Sequence, residues 1–363
     1  MSVRFILLTT FLWILPLAEA TVPACPITPE QSYAYMETRF GIKNPLRSGA
    51  TDDLKSITTL EFIGLGFSDE DLPALCPFRS LKFLSLSNDP NTTTKIKGAA
   101  LGNLAALSEL EYLDLDGNEI AGEHLQQLSQ IKSLRTLKLG LGAKLGNDHM
   151  NALDDIPQLS NLVIQGSDLT PADLEWLPRS KKIWEALVLS DNRRLGNAAL
   201  PLIARAHVRG LDLERTGISS AKGFEALARN EHLRSLALSP LPSKTSFEIL
   251  RTLAPAPALR VLDMKLPLNS QFTNILTTLP RLEALSLDFP SGQLDEESHF
   301  LFNRLLQSGH LKSITLVVQP PAVSNELGSK LCDDLRHHYP SRQFTLVNNL
   351  GHRRACAPDA DPQ

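Results

Sequence analysis

Apolar residues recur along this chain as short hexads of the form L-x-x-L-x-L, with polar or small residues between them. The hexad or a close variant occurs twelve times, mostly at intervals of 23 to 29 residues. Its first apolar positions read Leu60, Leu81, Leu110, Leu134, Leu159, Trp184, Val208, Leu233, Leu259, Leu282 and Leu311, and a weaker last unit from Ser341 keeps Phe344 and Leu346. Apolar residues two apart, as in Leu113 and Leu115 or Leu236 and Leu238, give the alternation of a strand with one face buried. A long fixed period marks supersecondary units that bury their apolar faces only against neighbouring copies.

Residues between the hexads predict an outer helical layer. In the unit from Leu159, Thr170-Pro171-Ala172-Asp173 is a capping sequence with proline at the first helical position. Stretches 198–206, 224–228, 247–253, 275–279 and 300–306 carry apolar residues three and four apart. Near the start, Thr28-Pro29-Glu30-Gln31 is a capping box opening a helix to about Arg39, with Gly41 beyond it. At the other end, a helix is expected from Ser324 through Leu327, Leu331 and Leu335, followed by a closing strand over 342–347.

These hexads resemble the leucine-rich repeat family over about four-fifths of the chain. The resemblance implies an α/β solenoid of about 12 repeats: a curved horseshoe with a parallel β-sheet on the concave face and helices on the convex face. Outer helices and periods near 25 resemble the ribonuclease-inhibitor-like branch; the plant-type glycine–x–isoleucine–proline signature is missing. The family's inner-turn asparagine is matched by Asn118 and Asn192. Ser68, Ser167 and Thr216 offer a hydroxyl instead, while Gly142, Leu241, Pro267 and Pro290 offer nothing. Residues 88–97 form an extra polar, threonine-rich stretch expected as a rim loop, and Asn91-Thr92-Thr93 within it is a glycosylation sequon at Asn91.

The ends carry their own signals. Arg4, an apolar run over 5–18 and Ala18-Glu19-Ala20 read as a signal peptide over 1–20 with an A-x-A cleavage site. The rest divides into an N-terminal cap over 21–58, a repeat array over 59–347, and a C-terminal cap and tail over 348–363. Export to a secreted, periplasmic or extracellular location follows, with lipidation of Cys25 as the minor alternative. Beyond residue 20 no run of 18 apolar residues occurs, so no membrane span is expected.

Four cysteines sit two at each end, Cys25 with Cys76 and Cys332 with Cys356. In an exported chain an even count reads as disulfides, and in a solenoid only these pairings avoid linking opposite ends. Four buried free thiols are the alternative. Disulfide-capped ends are also what the resemblance to extracellular repeat proteins implies.

A net charge of -4 gives no pull toward nucleic acid. There is no G-x-S-x-G, H-E-x-x-H or phosphate-binding glycine loop, so no enzyme class, cofactor or metal is called for. Cys332-Asp333-Asp334 resembles the C-x-D of bacterial repeat-bearing ubiquitin ligases, whose catalytic domain has no counterpart in the 29 residues after Asp334. Strand positions between the buried leucines should face a partner. Phe62, Phe83 and Tyr112 are expected as an aromatic row, beside Asp114, Asp116 and Lys138, with further acid at Asp212 and Glu214. The expectation is a non-enzymatic scaffold that binds a protein partner on its concave face, with an inhibitor of a secreted enzyme or a virulence factor engaging a host protein as the alternative.

Overall fold

The computed structural model describes residues 25–41, 56–140, 145–146, 150–307, 309–318, 323, 326–348, 350 and 352–356. The expected signal peptide, Gly142 and Ser324 lie outside the described residues.

One strand per unit adds in chain order to a 13-stranded sheet, and a separate pair, Ile183–Trp184 with His207–Val208, lies beside it. Pairing in the large sheet is parallel until the last strand, Arg353–Ala355, which runs antiparallel to Gln343–Val347 and closes the edge. A parallel sheet that never reorders its strands is a solenoid. Register is set by the leucines: Leu84, Leu113, Leu137, Leu162 and Leu187 pair strand to strand, and all are buried. A slip of one residue would turn that column to solvent, so burial fixes the register.

The first unit is offset from its expected position. Thr59 pairs with Phe83 and Leu60 with Leu84, so Leu60 is the second apolar position and Ile57 the first. Phe62 therefore takes the third, inward position. It is 2% exposed, packs on Phe40 and Phe67, and its N–H donates to the Ser85 carbonyl at 2.8 Å. Ile57, buried only in part, hid this register because Leu60 is the stronger apolar signal.

Inner turns in the first half are held by an amide ladder. Asn118 Nδ2 donates to the carbonyls of Leu86 (2.9 Å) and Leu115 (3.0 Å), and its Oδ1 accepts from Ile96 N–H and Asn88 Nδ2. Asn192 binds the carbonyls of Ile164 and Leu189 and the N–H groups of Ser167 and Leu169 in the same way. Ser167 and Thr216 use their hydroxyls as expected, donating to Gly140 and Leu213 carbonyls. Ser68 does not; its hydroxyl donates to Asp71 Oδ2 on the way to the convex face. Its place is taken by Asn88, which accepts from Gly66 N–H and donates to the Phe67 carbonyl. The extra stretch that follows is tied down rather than free. Ile96 is fully buried, and the Asp69 carboxylate accepts from the N–H groups of Lys97, Gly98 and Ala100, leaving Asn91 exposed at the rim.

The convex layer changes character along the chain. Through the first half it consists of 3-10 segments such as Leu101–Ala106, Gly122–Gln130 and Pro171–Leu174. Thr170 and Asp173 make the expected capping contacts, but the turn ends after four residues. From Leu200 onward the layer is α-helical, including Ser243–Leu253, Ser270–Leu276 and Glu296–Leu306.

Both ends are closed. Helix Pro29–Phe40 starts with Thr28 and Gln31 capping each other and stops at Gly41 in the left-handed region. It lays Tyr33 and Met36 on the first unit, where Cys25 is bonded to Cys76 with Cα atoms 5.5 Å apart. Helix Glu326–His338 covers the far end, and Cys332 is bonded to Cys356 with Cα atoms 5.0 Å apart.

Candidate binding face

Side chains between the inward leucines form continuous rows across the sheet. One row reads Thr59, Phe83, Tyr112, Thr136, Asn161, Ala186, and the next Glu61, Ser85, Asp114, Lys138, Val163, Val188, Asp212. The expected aromatic row is thus a pair. Phe83 and Tyr112 stack with ring centroids 4.3 Å apart and planes within 8°, and Thr59 stands where Phe62 was expected. Both rings are half-buried.

Beside Tyr112 the acid is compensated. Lys138 Nζ, one unit on, lies 2.9 Å from Asp116 Oδ2 and 3.2 Å from Asp114 Oδ2. Asp114 also accepts from the Asp116 N–H, and Asp116 from the Gly117 N–H. A side chain at Gly140 would collide with Asp116 Oδ1, so glycine there is what lets Asp116 lie across to Lys138. Burial pulls the Lys138 ammonium down, but the Asp116 hydrogen bond and the charges of Asp114 and Asp116 outweigh it and raise its pKa. Tyr112 is raised too, first by burial and then by Asp114. Asp114 is only 8% exposed, so it sets Lys138 in place more than it offers a free charge. The face here is a stacked aromatic pair beside a shared-charge cluster.

The second cluster draws on four units further along. Glu214 contacts Lys265 at 3.4 Å and Arg215 at 3.2 Å, and Arg215 in turn grips Asp191 with both Nε and Nη2. Gln165 Nε2 donates to Asp191 at 3.3 Å. The Arg215 hydrogen bonds hold Asp191 below the usual carboxylate range. Asp212 moves the other way, raised by burial despite accepting from the Glu214 N–H. Half-buried Val163 and Val188 separate this cluster from the first.

Asp191 and Arg215 were not foreseen, although the sequence carries a signal for them. Their place in the unit is held by Gly117 and Gly166 earlier, all four in the left-handed region. An L side chain there costs about 1 kcal/mol, and here two such residues in adjacent units bind each other.

No protein-family model matches the sequence, and no curated protein matches it. Among solved structures the chain is similar to an internalin (inlF) from Listeria monocytogenes, at 17% identity over 82% of this chain and 92% of that one, with a TM-score of 0.38. It is also similar to TLR13 in its complex with ssRNA13, at 18% identity over 73% of this chain and 38% of that one (TM-score 0.42). A third is the leucine-rich repeat ectodomain of the plant receptor kinase GASSHO1/SCHENGEN3 from Arabidopsis thaliana in complex with CASPARIAN STRIP INTEGRITY FACTOR 2, at 18% identity over 76% and 34% of the two chains (TM-score 0.33). The chain spans a little over a third of the length of these last two.

Proposed function

We propose that this protein is an exported, non-enzymatic scaffold that captures a protein partner on its concave face. The observation that carries the reading is the stacked Phe83–Tyr112 pair, half-exposed and set beside Lys138, Asp114 and Asp116. Stiff aromatic anchors beside charged groups whose donors and acceptors are already placed are what protein interfaces concentrate their affinity on. Asp212 and Glu214 extend the footprint through the second cluster. Because both clusters are internally compensated, the partner is one of mixed charge with an apolar anchor, not a uniformly basic one.

Export rests on the leader-like first 20 residues, and the Cys25–Cys76 bond speaks against a lipid anchor by occupying the sulfur it would need. The proposed organisation is a signal peptide over 1–20, a cap over 21–58, the array over 59–347 and a closing cap over 348–363, with a glycan at Asn91 where the host glycosylates.

Affinity capture from the medium or periplasmic extract of the source cells tests this. The wild-type chain should retain a protein that the Tyr112→Ala, Phe83→Ala double variant loses, with the variant still folding cooperatively. Undiminished capture by that variant removes the concave face as the binding surface.

A further inference from the structure

The residue just before each strand forms a margin along the sheet, and its charge changes halfway along the chain. In the first half it reads Lys82, Glu111, Arg135, Ser160 and Glu185, nearly balanced, with Arg135 3.9 Å from Glu111. In the second half it becomes Arg209, Arg234, Arg260, Glu283, Lys312 and Arg342. Backbone bonds of 2.7 Å link these residues from Arg209 to Lys312, each N–H donating to the carbonyl one unit before, so they sit on adjacent strands. At about 4.8 Å per strand the cationic margin is roughly 24 Å long.

Arg281 and His310 lie directly behind this margin and add to it. Together with Arg260, Glu283, Gly309 and Lys312 they line an open hollow of about 290 Å³. Glu283 is the one carboxylate in it, gripped by Arg260 on one oxygen and by Lys312 at 2.9 Å on the other. It bridges those two cations and offsets part of their mutual repulsion. Arg209 is paired with Glu185, whereas the side chains of Arg234, Arg281 and Arg342 make no hydrogen bond or ion pair among the described residues. The face beside the margin carries Asp212, Asp263 and Asp288, which would repel an anion and confine it to the edge, while Glu214 there is engaged by Arg215 and Lys265.

We propose that this margin binds a linear sulfated polysaccharide, laid across units eight to twelve with its sulfates on the unpaired arginines and in the hollow. Guanidinium groups pair with planar faces of oxyanions through two donors at once, which suits arginine-dominated recognition of sulfate. Single-stranded nucleic acid shares the charge but draws on exposed aromatic rings for its bases. Among the described residues no phenylalanine, tyrosine or tryptophan is exposed on this margin.

The test uses the full exported chain against immobilised heparin, with non-sulfated dextran and an oligothymidylate as comparators. Wild type should bind heparin, weaken steeply as salt rises from about 0.05 to about 0.2 M, and ignore dextran. The triple variant Arg234→Ser, Arg281→Ser, Arg342→Ser should bind at least about tenfold more weakly with a shallower salt dependence. These side chains are exposed or unpaired, so circular dichroism should be unchanged. Arg135→Ser, on the balanced half of the margin, should behave as wild type. Absence of heparin binding, equal binding by the triple variant, or tighter binding to the oligothymidylate overturns the proposal.

Discussion

The two halves of this solenoid close the same repeat by different means. In the first half, Asn88, Asn118 and Asn192 insert side-chain amides into the inner turns, the convex segments are short 3-10 turns, and strands are three or four residues long. In the second half, Leu241, Pro267 and Pro290 stand where an amide would be needed. There the parallel strands of the large sheet run from four to seven residues, and α-helices of up to 11 residues cover the convex side. Where the ladder lapses, beside Thr216 and Leu241, a hollow of about 70 Å³ opens under the turn. A buried turn must satisfy its backbone groups, and it does so either with a side-chain amide or by extending the strand ladder. Stability on one side is concentrated in a few polar residues; on the other it is spread over apolar helix faces.

The sharpest way to break that contrast is to remove a ladder amide. Asn118→Ala or Asn192→Ala strands several buried backbone groups and should cost about 3 kcal/mol, read by urea denaturation. The matching change in the second half, Pro267→Ala, removes no hydrogen bond and should cost well under 1 kcal/mol. Equal losses at the two places would show that the halves are held alike.

A smaller effect separates the clusters of the concave face by pH. Burial raises the folded pKa of Asp212, so its ionisation works against folding once pH exceeds both the unfolded and the folded value. Asp212→Asn should therefore raise Tm at neutral pH, and the gain should vanish below about pH 3 where the native carboxyl is protonated. Asn at 212 still accepts from the Glu214 N–H, so a loss of Tm at neutral pH would contradict this assignment.

The smallest effect concerns the turn between the halves. Arg215→Gly removes the grip on Asp191 but also relieves a left-handed non-glycine residue. The two should offset to within about 1 kcal/mol. A loss much larger than that, measured by thermal unfolding at moderate salt, would mark the Arg215–Asp191 pair as a structural joint.

Much of this was readable in advance where a signal repeats. Twelve hexads in phase specify parallel stacking, because no unit can bury its leucines alone, and the capping box at Thr28 specifies a helix from its own four residues. Legibility failed where repetition failed. With Leu60 mistaken for the first position of unit one, Phe62 seemed to face outward and Ser68 to join the ladder; the packing of Phe40 and Phe67 around Phe62 decided otherwise. Asn88 escaped notice because it follows Leu86 by two residues rather than three. Lys138 was expected beside Asp114 and Asp116, but its bridge to both carboxylates from the next strand was not.

What the sequence determined by itself is the periodic part: strand after strand in parallel, leucines inward, cysteines at both ends. Such features depend on spacing along the chain and on burial, which a linear pattern records directly. Charge pairing across units, the convex layer's passage from 3-10 turns to α-helix, and the run of cations along one margin were decided only by the tertiary structure. Each depends on which side chains about 25 residues apart come to lie on neighbouring strands a few ångströms from one another, and a register error of a few residues changes every such pair.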